Sequence, residues 1–504
     1  MSLAVFFAIC LLLSGIAIRI SIGMARLFGV MDHPGGHKQH DTSTPFVGGV
    51  GVMTALIGAL SLANYYFPSI SLEPLEAIVV GAGMIFLTGF IDDIWQLNYK
   101  TRFLSQAIVA LTMVFLGGVV LNDLGELVPG LPLELHALAI PFTVFATIGV
   151  INALNMIDGI DGLSGSVSLV SLMLIGLVAF MAGNHAYVTL AVALMGGVAG
   201  FLYFNLRYPS NSRARVFLGD NGSMLLGFLF AWLLIDLSQG PARAMSPAVA
   251  LWLFALPLMD TVGVMLRRVW LGKSPFRADR SHLHHLFLRA GFRVSDTVKF
   301  LVLLQFLFGM IGISGHWLGL PDYMMFSGFL LSFAVFFYII ARPWRFVPTL
   351  RRLNVALGLP SNQARGIYFG YVRRNDARLL ADTIVAELGD RHEYRLSLHE
   401  LDTQKPEGAK VYAILEMSIE RHDASLGEIK GLLDVLKQRL AGWHGLQVRL
   451  FMHREPENDR RSGNLPANRD NGRKSDRRAQ AGKTLIKTVT SEGAKQLRHD
   501  AVAV

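Results

Sequence analysis

Asn152-Ala-Leu-Asn155-Met-Ile-Asp158-Gly-Ile-Asp161-Gly-Leu163 sets three polar side chains, Asn155, Asp158 and Asp161, three residues apart within otherwise membrane-like sequence. In a helix or a tight turn that spacing brings them to roughly one side. A charge near hydrocarbon costs at least ~2.5–3.5 kcal/mol, so each carboxylate needs a partner, a cation or water. The Asp-Gly pairs would also suit plain turns between helices. What weighs toward function is that further acidic and histidine clusters recur at similar places along the chain.

The composition sets the frame. Of 504 residues 52% are hydrophobic and 16% charged, and the mean hydropathy of +0.44 is that of an integral membrane protein. The net charge of +9 is unevenly spread, since residues 1–341 are dominated by apolar runs and 342–504 are rich in Arg, Lys, Asp and Glu. Excess Lys and Arg in such a chain marks cytoplasmic loops rather than nucleic-acid binding. The single cysteine, Cys10, excludes a disulfide framework and a cysteine metal site.

The first apolar run, about 3–22, lacks a basic segment ahead of it and meets its first charge at Arg19, which predicts an uncleaved span with the N-terminus outside. Further spans are expected near 47–66, 76–94, 102–121, 137–154, 164–183, 187–206, 217–236, 247–268, 298–317 and 323–341, about eleven transmembrane helices in all. Loop charge supports this parity. Loops assigned inside carry Arg26 and Lys38, Lys100 and Arg102, Arg207, Arg213 and Arg215, then Arg267, Arg268, Lys273 and several more; those outside carry Glu73, Glu76, Asp123, Glu126 and Glu134, with Arg243 their basic residue. The expected class is therefore an all-α polytopic membrane protein. Beyond it, 342–365 reads as a linker and 366–455 as a small cytoplasmic α/β domain, from apolar alternation in 394–401, 411–419 and 446–452 and a helical pattern over 426–440. Residues 456–504 read as a disordered basic tail.

That topology collects the polar clusters on the cytoplasmic side. Asp92-Asp93 ends the third span, an arrangement suited to a divalent cation or to a base beside a neutralised partner, and equally to a helix cap. Asn205 ends the seventh span, and Gly219-Asp220-Asn221-Gly222-Ser223 opens the eighth with a flexible backbone beside a carboxylate. Arg277-Ala-Asp279-Arg280-Ser-His282-Leu-His284-His285 suggests zinc by its histidines, but its arginines would repel a dication and favour a polyanion such as pyrophosphate. His37-Lys38-Gln-His40 adds basic residues in the first inside loop. Carboxylates, cations and a metal such as Mg²⁺ at a membrane surface suit phosphoryl transfer between a soluble polyphosphate donor and a lipid. The rival reading is an ion- or proton-coupled transporter, whose site belongs near the bilayer midplane; the acidic clusters fall at the cytoplasmic ends of spans, and only Asp260, in the ninth, lies clearly within one.

Phe90-Ile-Asp92-Asp93, the 152–163 stretch, Phe217-Leu-Gly-Asp220-Asn-Gly-Ser223 and His282-Leu-His284-His285 resemble, in this order, the polyprenyl-phosphate N-acetylhexosamine-1-phosphate transferases of glycosyltransferase family 4. The Asp279–Phe292 loop resembles the bacterial undecaprenyl-phosphate N-acetylglucosaminyl 1-phosphate transferase branch. The resemblance covers about 1–320. It implies transfer of a sugar 1-phosphate from a UDP-N-acetylhexosamine to undecaprenyl phosphate with release of UMP, at the start of O-antigen or related glycan synthesis. It also implies Mg²⁺, with Mn²⁺ as the alternative, a lipid bilayer and no nucleic acid; a homodimer is left open. By the same resemblance Asp92 and Asp93 are catalytic, and Asp220 and Asn155 hold the metal. Asp158, Asp161 and Asn205 surround the nucleotide, Arg280, His282, His284 and His285 contact pyrophosphate or sugar, and Lys38 and His40 belong to the basic first loop.

Overall fold

A computed structural model describes residues 2–29, 31–32, 43–66, 73–208, 211, 213–241, 243–275, 281–357 and 359, and beyond them 364–373, 382, 394–401, 410–417, 431, 434–438, 448–452 and 483–490. The chain divides into two compact units, one of residues 1–286 and 294–346, the other of 287–293 and 347–504.

The first unit is a helix bundle. Its helices are α1 (Leu3–Phe28), α2 (Gly48–Tyr66), α3 (Glu73–Trp95), α4 (Tyr99–Gly117), α5 (Ala139–Ile157), α6 (Leu163–Met181), α7 (His185–Asn205), α8 (Gly219–Asp236), α9 (Pro247–Leu253), α10 (Ala255–Trp270), α12 (Val294–Trp317) and α13 (Asp322–Ala341). The helices α11 (Leu283–Ala290) and α14 (Pro343–Ala356) cross the boundary between the units, and short strands β1 (Met31–Asp32) and β2 (Thr44–Pro45) pair ahead of α2. Among the described residues seven helices are long and apolar enough to cross a membrane, namely α1, α3, α5, α6, α7, α12 and α13, and α9 with α10 makes an eighth if the bent pair is one span. The protein is thus a multi-pass membrane protein. Helices stand at all the expected span positions. The apolar part of α2 is shorter, and α4 and α8 carry charges at their ends.

The bundle is organised around α8, which is buried without interruption from Asn221 to Ile235 and packs against α2, α3 and α5. Small residues permit the approach. A Cβ added at Gly89 of α3 would stand 2.5 Å from the backbone of Asn221, and one at Gly49 of α2 would stand 2.6 Å from that of Gly222. Dispersion contacts and interhelical hydrogen bonds gain from such proximity where lipid offers no hydrophobic contrast.

The expected single span at 247–268 is instead two helices bent by 86° at Phe254. A break inside a membrane frees backbone groups that must find partners. Gln305 of α12, fully buried, supplies both: Leu256 N–H donates to its Oε1 at 2.9 Å, and its Nε2 donates to the Leu253 carbonyl at 2.8 Å.

The second unit carries a five-stranded antiparallel sheet of β3 (Ala364–Arg373), β4 (Tyr394–Leu401), β5 (Lys410–Met417), β6 (Val448–Met452) and β7 (Lys483–Thr490), in the order β6-β3-β5-β4-β7. Residues 434–438 are helical, inside the helical pattern read at 426–440. The strand β7 falls within the 456–504 stretch read from the sequence as a tail. Its β-branched residues Thr484, Ile486, Thr488, Val489 and Thr490 suit a strand, and it pairs with β4 along Arg395–Leu401.

Candidate active site

The polar clusters meet at one end of the bundle. α3 ends at Trp95, a turn with Gln96 at φ +51 reverses the chain, and Asn98 caps α4 by accepting from Thr101 N–H at 3.0 Å. The Asp92 carboxylate holds this turn, accepting from Leu97 N–H at 2.7 Å. Reversal of the chain brings Arg102, in the first turn of α4, to Asp92, with Nε 3.0 Å from Oδ2. Asp92 is 3% exposed, so this ion pair is the compensation that a buried carboxylate requires.

The adjacent carboxylates part company here. Both oxygens of Asp93 serve the start of α8: Oδ1 accepts from Asp220 N–H at 2.8 Å, and Oδ2 from Asn221 N–H at 3.1 Å and Asn221 Nδ2 at 2.5 Å. Asp93 thus caps a helix N-terminus from a neighbouring helix, where a negative charge is favoured. Asp92 turns toward Asp220, with which it interacts electrostatically. The sequence left cap and catalyst as equal readings of this pair; Asp93 makes the cap contacts at the start of α8, and Asp92 faces Arg102 and Asp220 instead.

Around Asp220 the contacts form one network. Asn155 Nδ2 donates to Asp220 Oδ1 at 2.5 Å and to Ser223 Oγ at 2.9 Å, while its Oδ1 accepts from Arg102 at 3.0 Å. Arg102 also lies 3.8 Å from Asp220 Oδ2. Oxygens of Asp92, Asn155 and Asp220 therefore converge on a single guanidinium, and oxygens that converge on one cation suit another. Among the described residues no three His, Cys, Asp or Glu side chains gather as a metal cage. Two carboxylates and an amide oxygen match an ion such as Mg²⁺, which takes few protein ligands and completes its shell with water and substrate phosphates.

The opening stretch forms the adjoining wall. Asp158 follows α5 and accepts from Ser164 Oγ at 2.5 Å. Burial pushes its carboxyl up to about 7, with the nearby Asp220 and Asp161 charges adding and the Ser164 hydrogen bond opposing. Asp161 Oδ2 accepts from Arg207 Nε at 2.6 Å and Ala214 N–H at 3.2 Å, tying down the segment between α7 and α8. Asn205 is buried and braces both sides, accepting from Gly162 N–H at 2.6 Å and donating to the Val216 carbonyl at 2.8 Å. Gly162, at φ +82, starts α6 in a left-handed conformation that favours glycine.

The histidines complete the cluster with different environments. His282 Nδ1–H donates to Asp260 Oδ2 at 2.8 Å, and Leu283 N–H donates to Asp260 Oδ1 at 2.9 Å. Asp260 of α10 therefore fastens the histidine segment through two hydrogen bonds. His284 stacks on His282 with ring centroids 5.6 Å apart, and its Nε2 would lie 2.6 Å from a Cβ at Gly159, so the absence of a side chain there admits the ring. Both ring nitrogens of His284 are buried without a hydrogen-bond partner. Burial, with His285 and His282 adding and Asp260 opposing, pushes its imidazole down to about 3. His285 lies 4.2 Å from the His284 ring.

Asp92, Asp93, Asn155, Asp158, Asp161, Asn205, Asp220, His282, His284 and His285 are thus linked through successive contacts, whereas Lys38, His40 and Arg280 lie outside the described residues. Arg102 did not stand out from the sequence as part of the site, because a basic residue at a helix head also satisfies the charge rule for inside loops. The signal for it was the short turn that sets it ten residues after Asp92. Ser223, Ser164 and Asp260 also join the network, Asp260 through His282.

The family model for glycosyl transferase family 4 matches residues 75–238, from α3 through α8. The chain is 35% identical over 331 residues to the undecaprenyl-phosphate alpha-N-acetylglucosaminyl 1-phosphate transferase of Haemophilus influenzae, a match covering 66% of this chain and 92% of that protein. Proteins of the same name from Salmonella typhi and Escherichia coli K12 are each 34% identical, the first over 327 residues and the second over 332, covering 88% and 89% of their lengths and 65% and 66% of this one. With the motifs in order and nearly the whole length of these relatives spanned, the chain belongs to glycosyl transferase family 4.

Proposed function

We propose that this protein transfers an N-acetylhexosamine 1-phosphate, first of all N-acetylglucosamine 1-phosphate, from its UDP-sugar to undecaprenyl phosphate at the cytoplasmic face of the bacterial inner membrane. UMP is released, and a surface polysaccharide such as O-antigen is begun. The observation that carries this reading is the convergence of Asp92, Asn155 and Asp220 on Arg102 at the ends of α3, α4, α5 and α8. An oxygen-rich, cation-bearing site at a helix-bundle end meets both a lipid phosphate and a soluble pyrophosphate.

In this reading an oxygen of the lipid phosphate attacks the β-phosphorus of the donor, and the bond from that phosphorus to the bridging oxygen breaks, leaving with UMP. The acceptor is already an anion near neutral pH, so Asp92 orients it more than it deprotonates it. Asp220, Asn155 and Asp92 would hold Mg²⁺, which when bound would neutralise phosphate charge. Arg102 screens the same carboxylates and offers forked donors to phosphate. Asp93 fixes the start of α8 and so aims Asp220. Asp158, Asp161 and Asn205 shape the wall for the nucleotide. Uncharged at neutral pH, His284 offers a hydrogen bond to the pyrophosphate or sugar without adding charge. The rest of the reading is topological, with eleven spans, the N-terminus outside, and the sheet of the second unit in the cytoplasm. A transporter is less well supported, because Asp260 is engaged by His282.

The test uses purified protein with undecaprenyl phosphate, Mg²⁺ and a panel of UDP-sugars, following UMP. Release with UDP-N-acetylglucosamine that stops on chelation of the metal is expected. No UMP with any sugar would overturn the enzyme reading, and undiminished release in chelator would remove the metal from it.

A further inference from the structure

We propose that α14 lies in the membrane surface and binds anionic phospholipid headgroups through its arginines. The span-length helix α13 ends at Ala341, and α14 starts at Pro343, so a membrane-length helix passes into a second helix with Arg342 alone between them. The corner between them is pinned. The Arg342 guanidinium sits 4.7 Å over the Tyr338 ring, and Arg345 donates to the Tyr338 hydroxyl at 3.0 Å. Beside it the end of α10 brings Trp270 to within 5.9 Å of Phe337. Trp270 is 64% and Trp344 60% exposed. Exposed tryptophans and a tyrosine among cations, at the ends of two helices, are what a headgroup layer selects.

From that corner α14 continues as one helix with two faces. Phe346, Val347, Leu350 and Leu353 recur at helical steps on one side, bordered along one edge by Arg345, Thr349 and Arg352 and along the other, beyond Val347, by Arg351. Leu353 and the following Leu357 are 40% and 51% exposed. From Arg342 to Arg352 the chain has four arginines and no acidic residue. Exposed leucines beside arginines are poorly served by water, and a free phosphate would meet the charges without covering the apolar side. The boundary between headgroups and acyl chains serves both faces, and its negative potential complements the arginines. This helix lies beyond the matched family region, which ends at residue 238, and the inference holds whichever sugar is used.

The test places a polarity-sensitive fluorophore on Leu353→Cys in the full-length protein; Cys10, fully buried, stays unlabelled. The labelled protein is reconstituted in nanodiscs of phosphatidylcholine alone or mixed with phosphatidylglycerol. Quenching by a nitroxide lipid is compared with quenching by aqueous iodide. The expected result is lipid quenching roughly threefold stronger with phosphatidylglycerol, reduced to the phosphatidylcholine level by Arg351→Gln with Arg352→Gln or by high salt, and not reproduced by inorganic phosphate. Lipid quenching independent of phosphatidylglycerol would overturn the proposal. So would a label open to iodide in both discs, which puts the helix in water, or one shielded from both quenchers, which puts protein over it.

Discussion

Arg102 answers at the scale of single residues to the whole local charge balance. It touches Asp92, Asn155 and Asp220, and without it Asp92 is a buried carboxylate lacking its cation. Arg102→Met should therefore melt at lower temperature in chelator, by an amount on the order of 3 kcal/mol. Added Mg²⁺ should recover part of the loss by supplying the missing charge, while turnover stays at least about tenfold down. Melting curves with and without the metal check this, and equal curves for variant and parent in chelator would contradict it. His284 makes a separate prediction through pH. Its folded pKa of about 3 lies below the ordinary 6.5, so the folded state excludes a proton that the unfolded chain accepts. The contribution to stability is complete above pH 6.5 and is lost as pH falls toward 3, at up to about 1.4 kcal/mol per pH unit. In His284→Gln that component should vanish from the difference between melts at neutral and mildly acidic pH.

Among the elements, the α9–α10 bend shows what a sequence reveals and what it withholds. Hydropathy located an apolar stretch at 247–268, because burial in lipid or protein selects the same residues whether the helix is straight or broken. The bend was not legible, since the groups that stabilise it come from Gln305, about fifty residues further on. Gln305→Leu should strand a buried N–H and a buried carbonyl and cost about 2–4 kcal/mol, measured by thermal melting in detergent, whereas Gln305→Glu keeps the acceptor and should cost less. The same division runs through the site. The 152–163 stretch and Asp220 announced themselves because polar residues are costly in apolar surroundings. The tie between Asp260 and His282 joins side chains 22 residues apart, a pairing that no local pattern encodes. β7 was hidden by the charged, Asn- and Gly-rich sequence around it.

Taken as a whole, the molecule uses a buried central helix to gather chemistry that the chain spreads from Asp92 to His285. Gly89 and Gly49 let α3 and α2 close on the start of α8, Asp93 caps it, and Asp220 is thereby held among Asp92, Asn155 and Arg102. Membership of glycosyl transferase family 4 leaves one chemical question at the centre, which is whether phosphate travels with the sugar. Carboxylate and amide oxygens surround one guanidinium in the site, and the proposed function makes the β-phosphorus of the donor the point of attack. Donor UDP-N-acetylglucosamine labelled in its β-phosphate, incubated with the protein, Mg²⁺ and undecaprenyl phosphate, decides it. The expected result is label entering the lipid fraction in step with UMP release; label left in water as UDP, with unlabelled sugar on the lipid, would contradict transfer of the phosphate with the sugar.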